Sequence, residues 1–278
     1  MPLRQTNALS ENPKGLPMRV AGRYTRVIGA SIARAWENVR DWEHLPWLHA
    51  DSFSDCRLDE EGDWGWRAVT KGAGTAAAQE TVIELAIDAA ASRYVSRTLE
   101  GSLPGVEIWT RLTKLDTHET RVEVEFHLPH LTEAQADKAG AGLVRLYTKL
   151  WDEDEAMMIA RQKALDARAT SRNPAPVALG TARDLSASLP RLVESDAGPI
   201  RLIKLGDEMR AYPARCPHLK GPLQFAEPDA AGCVTCPWHG YRFDVTSGLS
   251  ADGRGLSLGV MPKISIDEQQ EAWLVWPQ

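Results

Sequence analysis

The chain has 278 residues, of which 43% are hydrophobic and 25% are charged, a composition typical of one large domain or two smaller ones. Its net charge of -6 and the lack of any Lys/Arg block argue against a nucleic-acid or membrane-surface partner. No apolar run approaches the roughly 20 residues of a bilayer span, and the N-terminal segment lacks the apolar centre of a signal peptide. We therefore expect a cytoplasmic protein whose partners are small molecules or proteins.

The first half of the chain predicts a strand, a helix and then a series of antiparallel strands. Residues 1–19 are polar and are predicted to form a flexible arm. A strand begins near Arg23, and a helix follows that Ser31 caps and Pro46 interrupts. Further strands are most evident over 80–89, 92–100, 105–116 and 120–129. The last of them alternates apolar and polar residues, the period of a half-buried strand.

A long helix is predicted from a capping box of Thr132 and Gln135 to about residue 169. Its apolar residues form one stripe at helical spacing. They are Leu143, Tyr147, Leu150, Trp151, Met158 and Leu165. Asp154 lies in the middle of this stripe, whereas its acidic neighbours lie off it. A carboxylate on an apolar face is costly unless a positive group meets it, so this position makes Asp154 a candidate metal ligand.

The rest of the chain predicts a linker and a small all-β domain. Residues 171–176 contain two prolines and are predicted to be the linker, and 177–278 contain short strands separated by Gly, Pro and Asp turns. Three of the four cysteines, Cys216, Cys233 and Cys236, lie in this part of the chain. In a cytoplasmic protein such clustering indicates a metal site rather than disulfides.

Cys216-Pro-His218 and Cys236-Pro-Trp-His239 form a C-x-H and a C-x2-H pair. Together with the segments CPHLKGPL and CPWHGYRFD, they resemble the Rieske domain. The resemblance implies a [2Fe–2S] cluster in which the two cysteines bind one iron and the two histidines bind the other. A zinc site that includes Cys233 is the alternative. The single-residue C-x-H spacing disfavours it, and Cys233 is then a buried small apolar residue.

In the first half, RDWEHLPWLH contains Asp41, His44 and His49, spaced as D-x2-H-x4-H. This segment resembles the motif with which Rieske non-haem iron oxygenases bind their catalytic iron, and EDEAMMIARQ (153–162) resembles the segment that supplies their carboxylate ligand. The resemblance implies that His44, His49 and Asp154 form a facial triad on Fe(II). It also implies that Asp41 bridges the iron site to a cluster histidine of a neighbouring subunit in a trimer. The alternative is that the histidines are ordinary structural residues.

The order of elements over 20–170 resembles the helix-grip (START-like) fold, in which a curved antiparallel sheet wraps a long last helix around an apolar cavity. We therefore expect an α+β protein with this domain first and the Rieske domain second, the reverse of the usual oxygenase order. Four aromatic residues are candidates to line the cavity. They are Trp64, Trp66, Trp109 and Trp151.

The resemblance implies a terminal oxygenase component that activates O2 and hydroxylates or demethylates an apolar, aromatic or alicyclic substrate. No G-x-G-x-x-G follows a predicted strand, so electrons must come from a separate reductase or ferredoxin. Leu219 replaces the Arg that many of these oxygenases have after the first cluster histidine, which indicates a different docking surface for the donor. The alternative function is a hydrophobic-ligand-binding helix-grip module fused to a Rieske electron-transfer domain, without catalytic iron.

Overall fold

The computed structural model describes residues 18–74, 79–129, 131–167 and 173–277. The chain folds into two compact units, which divide it at residues 159 and 160. Most of the predicted N-terminal arm, the C-terminal end of the predicted long helix and the start of the predicted linker lie outside the described residues. No helix within these ranges is both long enough and apolar enough to cross a membrane.

The first unit is built on one antiparallel sheet of seven strands. The strands are β1 (Met18–Ile28), β2 (Phe53–Gly62), β3 (Gly65–Gly72), β4 (Glu80–Asp88), β5 (Arg93–Glu100), β6 (Glu107–Lys114) and β7 (Thr120–Pro129). Their order in the sheet is β1-β7-β6-β5-β4-β3-β2, so each neighbouring pair is a hairpin except β1 with β7. Strands β4 to β7 confirm the four predicted segments. The β2–β3 hairpin was not identified from the sequence.

Two short helices connect β1 to β2. Helix α1 (Ile32–Arg40) begins as predicted at Ser31, whose side chain accepts a hydrogen bond from the backbone N–H of Arg34. The prediction that Pro46 interrupts this helix was wrong. The helix ends earlier, at Asp41, whose extended backbone stops it, and Pro46 lies in the first turn of a separate helix α2 (Leu45–Leu48).

Helix α3 (Glu133–Asp166) closes the first unit. Its predicted capping box is confirmed, because the side-chain oxygen of Gln135 accepts hydrogen bonds from the Thr132 backbone N–H and hydroxyl. The helix lies directly on β1 at two glycines. A Cβ built on Gly140 would stand 1.9 Å from the backbone oxygen of Ala21, and one built on Gly22 would stand 3.3 Å from Gly140 Cα. Only glycine permits this approach.

The core of the first unit lies between the sheet and the helices. Trp66 and Trp151 belong to it, at 6% and 3% exposure. Strand β6 turns Ile108 and Leu112 toward the core, so Trp109 lies on the opposite face, where Arg93 stacks on it. Trp64 lies in the β2–β3 turn beneath Arg67. The prediction that Trp64 and Trp109 line an interior cavity was therefore wrong, whereas Trp66 and Trp151 do face the interior.

The second unit, after α3, is small and rich in β-structure. Its elements are β8 (Val177–Thr181), α4 (Ala182–Ala187), β9 (Arg191–Val193), β10 (Ile200–Leu205), β11 (Glu208–Pro213), β12 (Cys233–Thr235), β13 (Arg242–Asp244), β14 (Lys263–Ile266) and β15 (Glu271–Val275). They form sheets β11-β10-β9, β12-β13 and β14-β15-β8. The chain is thus an α+β protein with a helix-grip unit followed by a small β-rich unit, as the sequence predicted.

Candidate metal centres

The first candidate centre combines side chains from α2 and α3. His44 precedes α2 and His49 follows it, so a helix of one turn separates the two imidazoles and sets their ring centroids 5.0 Å apart. Asp154 reaches them from α3 and is 8% exposed, which agrees with its predicted position on the buried stripe. Both histidines are also buried, at 4% and 2% exposure. The short helix α2, which contains Pro46, thus brings His49 back toward His44.

The ligand atoms of these three residues converge. His44, His49 and Asp154 each offer one ligand atom, and these atoms all lie within 4.8 Å of one another. The Nε2 atoms of His44 and His49 lie 3.5 Å and 3.1 Å from the same Asp154 oxygen, Oδ1. Two imidazoles and one carboxylate grouped in this way are the donor set of non-haem Fe(II) sites, which leave further coordination positions open. The residues present therefore fit a mononuclear iron.

Each member of this group also contacts a second polar side chain. His49 Nδ1 lies 2.6 Å from Glu153 Oε2, and His44 Nδ1 lies 3.6 Å from Asp41 Oδ2. Asn38 donates a hydrogen bond of 3.0 Å to Asp154 Oδ1. Both histidines thus turn Nε2 toward Asp154 and Nδ1 toward another carboxylate. A hydrogen bond such as that between His49 and Glu153 fixes the tautomer and orientation of a histidine that binds a metal.

The electrostatic field at His49 reflects this arrangement. Burial alone lowers the pKa of the imidazole, but the adjacent carboxylates of Asp154 and Glu153 more than offset this, and the pKa is raised above its usual value. A carboxylate on Nδ1 in the same way makes the neutral ring a better electron-pair donor to a metal on Nε2. Glu153 was predicted to lie off the functional face of α3, and its contact with His49 was not predicted.

The second candidate centre is formed by two loops with the same backbone pattern. In the first loop, the Cys216 N–H donates to Gly221 O and the Cys216 oxygen accepts from the Lys220 N–H. In the second, the Cys236 N–H donates to Tyr241 O and the Cys236 oxygen accepts from the Gly240 N–H. In each loop, the cysteine oxygen therefore accepts from the fourth residue after it and the cysteine N–H donates to the fifth. The two loops share this pattern although their histidines follow the cysteines at different spacings.

Both loops need an unusual backbone conformation at the same place. Lys220 and Gly240, each four residues after the loop cysteine, have φ of 66° and 68°. Glycine adopts this left-handed conformation readily and lysine does not. A Cβ on Gly221 would stand 2.6 Å from Cys236 Sγ, so the first loop packs against the sulfur of the second. Sequence spacing identified the loops but not this symmetry.

The two loops bring like ligands together. The Cys216 and Cys236 thiols are buried next to each other, and the contact between them raises the pKa of Cys216 and lowers that of Cys236. The His218 and His239 rings lie with centroids 4.6 Å apart. Two thiolates on one side and two imidazoles on the other match the two irons of a [2Fe–2S] cluster with mixed ligation.

A compact zinc site does not fit this arrangement. Tetrahedral zinc would bring at least three ligand atoms within a few ångströms of one another. Within the described ranges, the group of His44, His49 and Asp154 alone meets that condition among His, Cys, Asp and Glu side chains. Cys233 is 6% exposed on β12, and its sulfur approaches the Ala231 oxygen at 4.0 Å. The prediction that Cys233 is buried is confirmed.

A stack of side chains extends outward from the first histidine of the second centre. The Tyr241 ring stacks on His218 with centroids 4.4 Å apart and planes 23° apart. The guanidinium carbon of Arg254 lies 4.0 Å from the centre of the Tyr241 ring. A positive charge is thereby held close to the proposed cluster through an aromatic ring. The three residues come from different segments of the chain, so the stack was not predicted from the sequence.

Comparisons with known proteins agree with the geometry of this second centre. A family model of the Rieske [2Fe-2S] domain matches residues 175–256. These residues form a Rieske domain. It follows the helix-grip unit along the chain, and a Rieske domain implies a [2Fe–2S] cluster. The prediction of a Rieske domain placed second is confirmed.

Individual relatives resemble parts of the chain. The human protein named apoptosis-inducing factor 3 is 28% identical over 145 residues, which are 50% of this chain and 23% of that protein. The mouse protein of the same name is 36% identical over 74 residues, 27% of this chain and 12% of that protein. The chain thus matches less than a quarter of the length of these curated relatives.

Solved structures resemble each half at low identity. The Zhui aromatase/cyclase from Streptomyces sp. R1128 is 17% identical with a TM-score of 0.44, over 54% of this chain and 98% of its own. The ferredoxin of carbazole 1,9a-dioxygenase from Nocardioides aromaticivorans IC177 is 23% identical with a TM-score of 0.32, over 37% of this chain and 98% of its own.

Proposed function

We propose that the protein is the terminal component of a Rieske non-haem iron oxygenase. Cys216 and Cys236 hold one iron of the cluster, and His218 and His239 hold the other. The observation that carries the proposal is the separate buried group of two histidines and one carboxylate in the helix-grip unit, whose ligand atoms lie within 4.8 Å of one another. A chain that only transferred electrons would have no use for a second metal site.

In this proposal His44, His49 and Asp154 hold Fe(II), which, when bound, supplies the site at which O2 is activated. Glu153 and Asp41 orient the two imidazoles through their Nδ1 atoms, and Asn38 orients the carboxylate by donating to its Oδ1. The burial of these ligands excludes bulk water from the reacting atoms. The apolar side chains around them favour a small apolar substrate.

The electrons come from a separate reductase or ferredoxin, and insertion of one oxygen atom consumes two electrons and two protons per O2. We also propose that the protein forms a homo-oligomer, with a trimer favoured by the family resemblance. In this arrangement Asp41 connects His44 to a cluster histidine of a neighbouring subunit. A helix-grip module that binds a hydrophobic ligand without catalytic iron is the competing function.

The proposal is tested by measuring iron and acid-labile sulfide per chain. The oxygenase requires three iron atoms, two in the cluster and one in the mononuclear site, whereas the competing function requires two. We expect Asp154→Ala to lose one iron and all oxygenase activity while it keeps the visible spectrum of the cluster. The matched control is Asp152→Ala on the same helix, where the side chain is 61% exposed and pairs with Arg26.

The cluster ligands are tested by a second matched pair. Cys236→Ser should abolish the cluster spectrum but keep the mononuclear iron, whereas Cys233→Ser, three residues earlier and also buried, should keep both. Two irons per chain in the wild-type protein, or full iron and activity in Asp154→Ala, would contradict the proposed function.

A further inference from the structure

Three hydroxyl groups lie on the inner side of the helix-grip unit with hydrogen-bonding capacity that the protein does not use fully. Tyr94 on β5 and Thr110 on β6 are directly opposite each other in the sheet. Tyr147 lies on α3, two turns before Asp154 and on the same stripe. The aromatic rings of both tyrosines pack on the core, Tyr94 against Trp36 and Tyr147 against Phe126.

The Thr110 hydroxyl is the clearest of the three. The residue is 1% exposed, and within the described ranges its oxygen has no hydrogen bond of good geometry. It faces the Tyr94 hydroxyl across the strand pair, and this polar contact opposes the rise in the Tyr94 pKa that burial causes. Two hydroxyls in contact share at most one hydrogen bond, which leaves one O–H donor for water or a ligand.

Tyr147 indicates where that ligand would lie. The protein encloses the phenol, and this burial, together with the nearby Tyr94 and Asp154, raises its pKa above the usual range. The side chain nevertheless keeps some accessible surface. The ring therefore combines a position against the core with some exposure. No group in the described part of the chain accounts for a hydrogen bond to its hydroxyl.

Helical spacing places Tyr147 on the same face of α3 as Asp154 of the first metal centre. The Asp154 carboxylate is close enough to both phenols to contribute to the rise in their pKa, and burial is the largest cause for each. Both tyrosines therefore stay protonated at neutral pH and act as hydrogen-bond donors. A neutral oxygen suits these neutral donors, because burial of a charged substrate group in apolar surroundings is costly.

We infer that Tyr147, Tyr94 and Thr110 form a polar subsite in the apolar interior, and that the substrate is an apolar ring compound bearing a neutral carbonyl or ether oxygen. The subsite binds that oxygen and so fixes which carbon of the ring faces His44, His49 and Asp154. This inference deepens the proposed function, on which it relies for the reaction at the metal, but the binding itself requires no turnover.

The test compares ligands that differ in one oxygen. Calorimetric titration of the full-chain holoprotein would use 1-indanone against indane and 1-tetralone against tetralin. We expect each ketone to bind about threefold to tenfold more tightly than its hydrocarbon, the effect of one neutral hydrogen bond. Tyr147→Phe and Thr110→Val should reduce or abolish this preference and leave hydrocarbon binding unchanged.

The matched control is Tyr24→Phe, the same substitution on β1 of the same sheet. The Tyr24 hydroxyl already accepts a hydrogen bond from Arg26, so its loss should leave the preference intact. The inference is overturned if no ketone binds to the wild-type protein at millimolar concentration, if the wild type has no preference, or if Tyr147→Phe and Thr110→Val both retain the full preference.

The outcomes also separate this inference from the proposed function. Preferential ketone binding by a protein with only two irons per chain would support the subsite and contradict the oxygenase. Three irons without any ketone preference would support the mononuclear site and contradict the subsite.

Discussion

The contact between Glu153 and His49 predicts a measurable contribution to metal affinity. Glu153 Oε2 lies 2.6 Å from His49 Nδ1, the nitrogen that faces away from the other two ligands. A hydrogen bond to a charged group contributes about 1.5–3 kcal/mol, and loss of such an outer partner typically costs 10- to 100-fold in metal affinity. The Glu153 side chain is 28% exposed, and solvent screens part of its charge. We therefore expect a loss of metal affinity in the lower half of the 10- to 100-fold range.

Glu153→Gln keeps the size of the side chain and one hydrogen-bonding oxygen but removes the charge. We expect it to weaken metal binding by about 10- to 30-fold, and we expect Glu153→Ala to weaken metal binding further. The assay is competitive titration of Co(II) or Fe(II) into protein whose mononuclear site has been emptied by a chelator, with the cluster spectrum as a check that the Rieske domain is intact.

Two comparisons make this result decisive. Asp152→Asn, one residue earlier on the same helix, removes an exposed carboxylate that pairs with Arg26 and should leave affinity unchanged. Asp154→Asn should lower affinity far more than Glu153→Gln, because it alters a ligand. Equal affinity in Glu153→Gln and the wild type would refute the orienting role. Complete loss in Glu153→Gln with near-normal binding in Asp154→Asn would mean that Glu153 is the ligand.

Three further substitutions have expected outcomes of the same kind. Asp41→Asn should bind both metals and be reduced normally at the cluster, but transfer electrons to the mononuclear iron much more slowly; unchanged single-turnover kinetics would contradict the bridging role. Arg254→Gln should lower the midpoint potential of the cluster by about 10–30 mV in voltammetry. This is the effect of removing one positive charge about 10 Å away that Asp252 partly neutralises. Substitution of the exposed Lys204 by Gln should leave the potential unchanged. Gly140→Ala should cost about 2 kcal/mol or more in thermal unfolding, because its Cβ would meet the Ala21 oxygen. Gly142→Ala should be neutral or stabilising, because its Cβ would make only an ordinary contact with the Arg145 side chain at 3.9 Å. Equal stability of these two variants would show that the helix adjusts to the added methyl.

The predictions from sequence succeeded where one local pattern determined the structure. The alternation along β7 and the capping box of α3 depend on residues a few positions apart, and both elements begin where the pattern begins. Asp154 could be selected from an acidic run because helical periodicity places it on the buried stripe, and the structure buries it. The motifs on which the family resemblance rests also named side chains that the structure brings together, His44 with His49 and His218 with His239.

The missed features depend on contacts between segments that are distant in sequence. Helical phase places Glu153 off the apolar stripe, and Glu153 contacts His49 only because the end of α2 brings His49 to that edge of α3. The one indication of this contact in the sequence was that Glu153 is adjacent to the predicted ligand Asp154. The partners of Trp109 and the stack on Tyr241 likewise depend on strand pairing and loop packing. Helix α1 ends early because Asp41 has an extended backbone conformation. No Gly or Pro next to Asp41 indicated this end in the sequence.

Helix α3 connects the stability of the helix-grip unit to the proposed chemistry. Gly140, Tyr147 and Asp154 are spaced by seven residues, or nearly two helical turns, so they lie along one face with a drift of about 20° per step. The tight contact at Gly140 fixes this face against β1. A helix rises about 1.5 Å per residue, so Tyr147 and Asp154 are then set about 10 Å and 21 Å further along. A displacement at Gly140 would therefore move both the proposed subsite and the metal ligand. The affinity for metal and the preference for a ketone should fall together in Gly140→Ala, although the substitution touches neither site.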